Sequence, residues 1–242
     1  MTRADLFLVE NGHAASRSEA QAAIRAGLVK VDGEVLEKPS RTVPPGAAIE
    51  YSKPHPFVSR GGVKLAAALD HFQLSPEDRV CLDIGASTGG FTEVLLMGGA
   101  AKVYAIDVGH DQMHPRISHD KRVVSREGVN ARDLSRAHVP EGFSAITADV
   151  SFIGLQLALP PALAMAGPGT WCVALVKPQF EVGRHWVGKG GIVRDLEAQM
   201  QALSDIKTFI GAQPRWSVLG HIESPILGGE GNKEFLIAAQ KS

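Results

Sequence analysis

The run Val80-Cys81-Leu82-Asp83-Ile84-Gly85-Ala86-Ser87-Thr88-Gly89-Gly90-Phe91-Thr92 joins an apolar segment, a turn of small residues and the start of an amphipathic segment. Residues without bulky Cβ groups let a backbone approach a ligand closely, which makes Gly85, Ser87, Gly89 and Gly90, with Thr88 and Phe91 in the same turn, candidates for a small-molecule site. Asp107 closes the next apolar run, 22 positions after Gly85, where a carboxylate can accept hydrogen bonds from ribose hydroxyls. The dinucleotide fingerprint G-x-G-x-x-G is absent. The turn opens instead with an acid, Asp83, and continues Gly85-x-Ser87-x-Gly89. A carboxylate repels a pyrophosphate and attracts a cationic amino-acid end, so this donor set favours S-adenosylmethionine over a dinucleotide. The plainer alternative is a strand-to-helix turn with no ligand.

The second set of reactive side chains lies at other predicted strand ends. Ala145–Asp149 ends in an acid and continues Val150-Ser151-Phe152, and Val173–Lys177 ends in a lysine. The Asn/Asp-Pro-Pro-aromatic tetrapeptide used to methylate exocyclic amines is missing. Cys81 and Cys172 lie inside apolar runs, where a thiol is usually inert and unsuited to attack on a pyrimidine ring. Lysine remains. A lysine at the end of an apolar strand, crowded by a second cation such as Lys64, gives up its proton more readily and can help to activate a hydroxyl. Taken alone, Lys177 reads more often as a solvated strand end, and the case rests on the set.

These residues need a scaffold. Strands are expected at 79–84, 102–107, 122–126, 145–150, 171–177, 217–222 and 234–239, and amphipathic helices at 63–71, 91–97, 155–166 and 196–210. Continuous apolar strands with helical crossovers predict a doubly wound, Rossmann-like α/β domain with a parallel sheet of seven strands. Ahead of it, 1–52 reads as a separate small α+β unit. It has a short helix over 5–10 and a second helix from Ser16, with Glu19 at capping-box spacing and Gly27 as its stop. A hairpin about Asp32-Gly33 and a strand at 48–51 complete it. Residues 53–58, with Lys53-Pro54-His55-Pro56, read as a stiff linker, and 59–242 as the larger domain.

Composition limits the classes. With 44% hydrophobic and 21% charged residues the chain can bury a core and is not disordered. No apolar run approaches the roughly 18 residues of a membrane helix. Met1-Thr2-Arg3-Ala4-Asp5 has no signal-peptide pattern, so a cytoplasmic location is expected. The net charge of −1 gives no global sign of a nucleic-acid partner.

Five motifs occur in order: Arg60-Gly61-Gly62-Val63-Lys64-Leu65, the glycine-rich turn, Ala148-Asp149-Val150-Ser151-Phe152, Val176-Lys177-Pro178-Gln179-Phe180-Glu181 and Gly231-Asn232-Lys233-Glu234-Phe235. Together they closely resemble the TlyA (haemolysin A) family, whose catalytic domain is like the FtsJ ribose 2′-O-methyltransferases. Ser16-Arg17-Ser18-Glu19-Ala20, Ile24-Arg25-Ala26-Gly27 and Val29-Lys30-Val31-Asp32-Gly33 are similar to an S4 RNA-binding domain. The resemblance implies methylation of the 2′-hydroxyl of cytidine in 16S and/or 23S ribosomal RNA, with S-adenosylmethionine as cofactor and ribosomal RNA or subunits as partner. It carries the family's tetrad onto Lys64, Asp149, Lys177 and Glu234. Lys177 would be the central base or the group that orients and polarises the hydroxyl. Asp149, also next to the cofactor, and Lys64 would set the local charge, and Glu234 would fix a lysine. The linker is more proline-rich than in some members.

Residues 1–58 hold seven Lys/Arg and seven Asp/Glu, so RNA binding needs the cations gathered on one face. Arg3, Arg17, Arg25, Lys30, Arg60 and Lys189 are the candidates. Two readings from other classes stand beside the transferase: a membrane-lytic haemolysin, and a catalytically silent RNA-binding protein that senses the cofactor. His110, His114 and His119 lack the partner motif of a metal site, and a polar surface is the better expectation. Phe152 reads first as packing, although its place three residues after Asp149 would let it border the cofactor or a target base. The 181–191 loop reads equally as a flexible connection or as a lid or RNA-contacting loop. Nothing demands a dimer; a monomer suffices.

Overall fold

The computed structural model describes residues 2–14, 16–228 and 231–242. The chain divides into two compact units, Met1–Pro56 and Phe57–Ser242. Phe57 and Val58, expected in the linker, pack with the apolar residues of the second unit.

In the first unit, β1 (Thr2–Arg3) leads into α1 (Ala4–Glu10) and α2 (Arg17–Arg25), followed by β2 (Val29–Val31), β3 (Glu34–Val35), β4 (Thr42–Val43) and β5 (Ile49–Tyr51). Ser16 caps α2 by accepting the Glu19 amide at 3.2 Å. Asp32 and Gly33 both have left-handed φ, 52° and 84°, as a tight hairpin between β2 and β3 requires. The sheet order is β3-β2-β5, and β1 pairs separately with β4. That last pair was not expected, because two-residue strands leave no periodicity to read. Leu8, Ala20, Ile24, Val29, Leu36 and Val43 form the core.

The second unit contains α3 (Arg60–Phe72), β6 (Val80–Ile84), α4 (Gly90–Met97), β7 (Lys102–Ile106), α5 (Pro115–Ser118), β8 (Val123–Arg126), β9 (Ala145–Ala148), α6 (Leu155–Ala158), α7 (Pro160–Met165), β10 (Trp171–Val176), α8 (Pro178–Glu181), α9 (Leu196–Gly211), β11 (Trp216–Glu223) and β12 (Phe235–Lys241). Its seven strands run in the order β11-β12-β10-β9-β6-β7-β8. From β10 to β8 all pairings are parallel. The expected all-parallel sheet is corrected at one edge, where β12 lies antiparallel between β10 and β11. Among the described residues between β11 and β12 there is no crossover helix, and a connection this short joins antiparallel neighbours. The single helix expected over 155–166 is two short ones, because proline at 160 and 161 cannot donate to the preceding turn.

Alternation along the strands sorts the core into two layers. Cys172, Ala174 and Val176 of β10 face one layer, with Ile146 and Ile237. Trp171, Val173 and Leu175 face the other, with Leu65, Leu95 and Leu236. Fully burying a side chain such as Ile146 contributes about 1.5–3 kcal/mol. The strand order reverses between β6 and β9, so their carboxyl ends diverge and open a crevice.

One polar cluster shapes the first unit. Asp5 is fully buried. Its carboxylate accepts two bonds from Arg3 at 3.0 Å, one from Arg17 at 2.9 Å and one from Gln21 at 2.8 Å. The Arg3 bond above all, with Gln21 and Arg17, holds this carboxyl well below the usual carboxylate range, against burial, which pushes the other way. A depressed folded value gives stabilisation that is present above the ordinary value near 4 and lost as pH falls through the folded one. Asp5→Asn should therefore weaken the first unit by about 1–3 kcal/mol at pH 7 and by less under acid conditions. Hydrogen exchange of the α1 and α2 amides reads this; an equal loss at both pH values would contradict it.

Candidate active site

The crevice begins at the turn after β6. Gly85 has φ 80°, and a Cβ there would lie 2.5 Å from the Asp149 carbonyl oxygen, so only glycine lets this turn rest against the end of β9. Gly90 is held by close approach as well, since a Cβ would reach 2.1 Å from Ser59 Oγ. Asp107, just beyond β7, accepts the amides of Ser87 and Gly109 at 2.7 Å each, and Ser87 Oγ donates to Gln112 at 3.1 Å. A cleft of about 1020 Å³ opens here and extends along the carboxyl edge from β8 to β10.

The glycine-turn candidates divide in two. Gly85, Ser87, Asp107 and Asp149 line the cleft, whereas Asp83, Thr88, Gly89, Gly90 and Phe91 do not. Asp83, expected to meet the cationic end of a ligand, is fully buried. Thr92 Oγ1 donates to one of its oxygens at 2.6 Å and Thr147 Oγ1 to the other at 2.8 Å. Burial pushes its carboxyl up to about 6. This geometry gives Asp83 the work of tying β6, β9 and α4 together behind the turn. Gly89 caps α4 with φ 91°, and Phe91 is buried in the core.

Four charged residues meet as two pairs at the same edge. Lys177 follows β10, Asp149 follows β9, and Glu234 precedes β12, whose antiparallel register continues Val176↔Phe235. Lys177 Nζ lies 2.6 Å from Asp149 Oδ1, but its hydrogen bond goes to Ser151 Oγ at 2.8 Å. Asp149 Oδ1 is buried, and its one polar contact among the described residues is this ion pair with the Lys177 ammonium. Lys64 of α3 donates to Glu234 Oε2 at 2.5 Å, and both side chains are buried. The expected crowding of one lysine by another is thus replaced by pairing of each with a carboxylate.

Phe152 corrects the packing expectation. Its side chain is 93% exposed, its φ is 64°, and its ring stands 5.3 Å from that of Phe180. Both rings line the cleft. The sequence reading also missed Gln112, Asn130, Ser151, Gln179 and Arg184, which line the same cleft. Asn130 was accessible in principle, as it follows the β8 carboxyl end where ligands gather. Cys81 and Cys172 are buried, and burial pushes both thiols up to about 12. Among the described residues no group of His, Cys, Asp or Glu is arranged to hold a metal, and His114 Nδ1 accepts the Arg116 amide at the start of α5.

The candidate RNA cations are only partly free. Arg3 and Arg17 share Asp5, and Lys30 pairs with Glu50 at 2.9 Å. Arg60 donates to the Leu227 carbonyl. Among the described residues no ion pair engages Arg25 or Lys189, both exposed.

Residues 57–241 match the family described as FtsJ-like methyltransferase, and residues 2–49 match the S4 domain. The 16S/23S rRNA (cytidine-2′-O)-methyltransferase TlyA of Mycobacterium tuberculosis is 42% identical over 97% of this chain and 88% of its own. Hemolysin A of Brachyspira hyodysenteriae is 40% identical over 97% of this chain and 98% of its own. Among solved structures, a Streptococcus thermophilus protein described as a candidate hemolysin is 41% identical with a TM-score of 0.79, covering 100% of this chain and 88% of that one. The chain belongs to the TlyA (haemolysin A) family, with an S4 domain ahead of an FtsJ-like methyltransferase domain.

Proposed function

We infer that this protein transfers a methyl group from S-adenosylmethionine to the ribose 2′-hydroxyl of cytidine in ribosomal RNA. The observation that carries this reading is the Lys177 ammonium beside Asp149, already donating to a hydroxyl oxygen, that of Ser151. The printed activity of the Mycobacterium relative supports the acceptor.

The cleft suits the cofactor. Asp107 offers a carboxylate for a ribose diol, and Ser87, Gln112 and Asn130 supply amide and hydroxyl groups for the rest of a nucleoside. S-adenosylmethionine, when bound, supplies a methyl on a sulfonium that departs as a neutral thioether. Lys177 trades Ser151 Oγ for the incoming 2′-hydroxyl and aims one oxygen lone pair at the methyl carbon. Asp149 Oδ1, engaged by Lys177 but by no further donor among the described residues, would take the hydroxyl proton. Lys64 and Glu234 fill the neighbouring position as a closed pair and keep its charge balanced. Of the two roles open to Lys177, its bond to a hydroxyl favours orientation and polarisation. Exposed Phe152, beside Phe180, offers a face on which the target base stacks. In the S4 unit, Asp5 gathers the Arg3 and Arg17 guanidiniums in one place, leaving Arg donors for phosphates. Arg25 of this unit, and Lys189 of the second, add charge that no ion pair engages among the described residues.

A lytic reading is favoured only by the names of relatives such as those from Brachyspira and Streptococcus. Among the described residues no helix is long and apolar enough to cross a membrane. Lysis by the pure protein without cofactor would support that reading.

Purified protein incubated with methyl-labelled cofactor and ribosomal subunits should place label in RNA; no labelled RNA with cofactor clearly bound would refute the transferase reading. Lys177→Ala should lower kcat/KM for RNA at least about a hundredfold with cofactor affinity near wild type, and an active variant would remove Lys177 from the reaction. Asp107→Ala should weaken cofactor binding by about 1.5–3 kcal/mol, measured by calorimetry. An unchanged Kd would place the ribose elsewhere.

A further inference from the structure

Two turns frame the reacting edge. One, residues 149–154, carries Asp149, Ser151 and Phe152; the other, residues 177–181, carries Lys177, Phe180 and Glu181. They touch at four places. Lys177 meets Asp149 and Ser151, the Phe180 ring meets that of Phe152, and Glu181 Oε1 accepts the Leu155 amide at 2.9 Å. The first three contacts use groups that substrate must engage. If Lys177 addresses a ribose hydroxyl it leaves Ser151, and if Phe152 stacks on a base its contact with Phe180 is shared or lost. Glu181 and Leu155 do not line the cleft. Their bond alone can persist while the others exchange partners.

We propose that Glu181 is a positioning residue, a latch that keeps the Asp149 turn and the Lys177 turn in register while RNA occupies the cleft. This rests on the transferase reading above. The latch is closely fitted: a Cβ on Gly154 would lie 3.0 Å from Glu181 Oε2 and 3.4 Å from the Phe180 carbonyl oxygen. It works by hydrogen bonding and not by ion pairing, because no cation pairs with Glu181 among the described residues. Burial accordingly pushes its carboxyl up to about 7, against the Leu155 amide bond, which pulls it down. Phe152, three residues before Leu155, holds a left-handed φ of 64° that a non-glycine residue keeps only when its surroundings impose it. The Leu155 anchor is one such restraint.

The test is methyl transfer to ribosomal RNA by Glu181→Ala and Glu181→Gln, with kcat and KM separated and cofactor affinity measured beside them. A misplacement near 1 Å at the reacting atoms costs about a hundredfold, so Glu181→Ala should lower kcat by roughly ten- to a hundredfold, with cofactor affinity near wild type. Glu181→Gln should restore most of the rate, since its carbonyl oxygen accepts the same amide. Wild-type kcat in Glu181→Ala, or a folded Glu181→Gln as slow as the alanine variant, overturns the latch. If Glu181→Ala does not fold, Gly154→Ala replaces it: φ −74° accepts alanine without strain while the new Cβ, 3.0 Å from Glu181 Oε2, displaces that carboxylate from its seat. A fall in kcat at unchanged melting temperature supports the latch, and unchanged kcat overturns it. A wild-type chain that labels no RNA overturns both the latch and the transferase reading; a labelling wild type with an equally active Glu181→Ala overturns the latch alone.

Discussion

Removing a lysine ammonium from water costs several kcal/mol unless a carboxylate meets it with good geometry. At the carboxyl edge of this sheet a carboxylate meets a lysine twice, Lys64 with an ion pair and hydrogen bond to Glu234 and Lys177 with an ion pair to Asp149 and a hydrogen bond to Ser151. Both arrangements depend on strand order. Only because β9 and β10 are parallel neighbours do their terminal residues, Asp149 and Lys177, emerge side by side. Only because β12 runs antiparallel beside β10 does its first turn bring Glu234 to the same edge. Reversing β12 would carry Glu234 to the far end of the sheet and leave Lys64 buried without a counter-charge.

The glycine-rich turn obeys the same constraint. Gly85 packs so closely on the Asp149 backbone that a Cβ would lie 2.5 Å from its carbonyl oxygen, which sets the turn that would hold the donor beside the acid that would serve the acceptor. Asp83 secures this junction from behind through Thr92 and Thr147, one hydroxyl from α4 and one from β9. The junction of β6 and β9 at the centre of the cleft is thus fixed by close backbone packing and buried hydroxyls.

Much of this was legible from residue order. Apolar runs located the seven strands of the large sheet, and Asp107 and Lys177 stood out as polar residues closing such runs. Other features were not legible, for identifiable reasons. Asp83 and Asp107 look alike as acids at strand ends, yet one points into the sheet and takes two threonine hydroxyls, while the other faces the cleft. Sequence gives alternation but not which partner waits on the inner face. Phe152 read as packing because aromatic residues are usually buried, whereas a left-handed turn after β9 throws it outward. Arg3 and Arg17 looked like free cations because the acid that collects them, Asp5, is brought to Arg17 only by the packing of α1 on α2. The roles of these side chains are set by contacts between segments distant in the chain.

The central claim is that this edge presents a lysine and an acid to a sugar hydroxyl and not to a base. Digesting the methylated RNA to nucleosides and identifying the modified product by mass spectrometry tests it most directly. The expected product is 2′-O-methylcytidine, with the added mass on the ribose fragment. A methyl on the base fragment would contradict the assignment of Lys177 and Asp149.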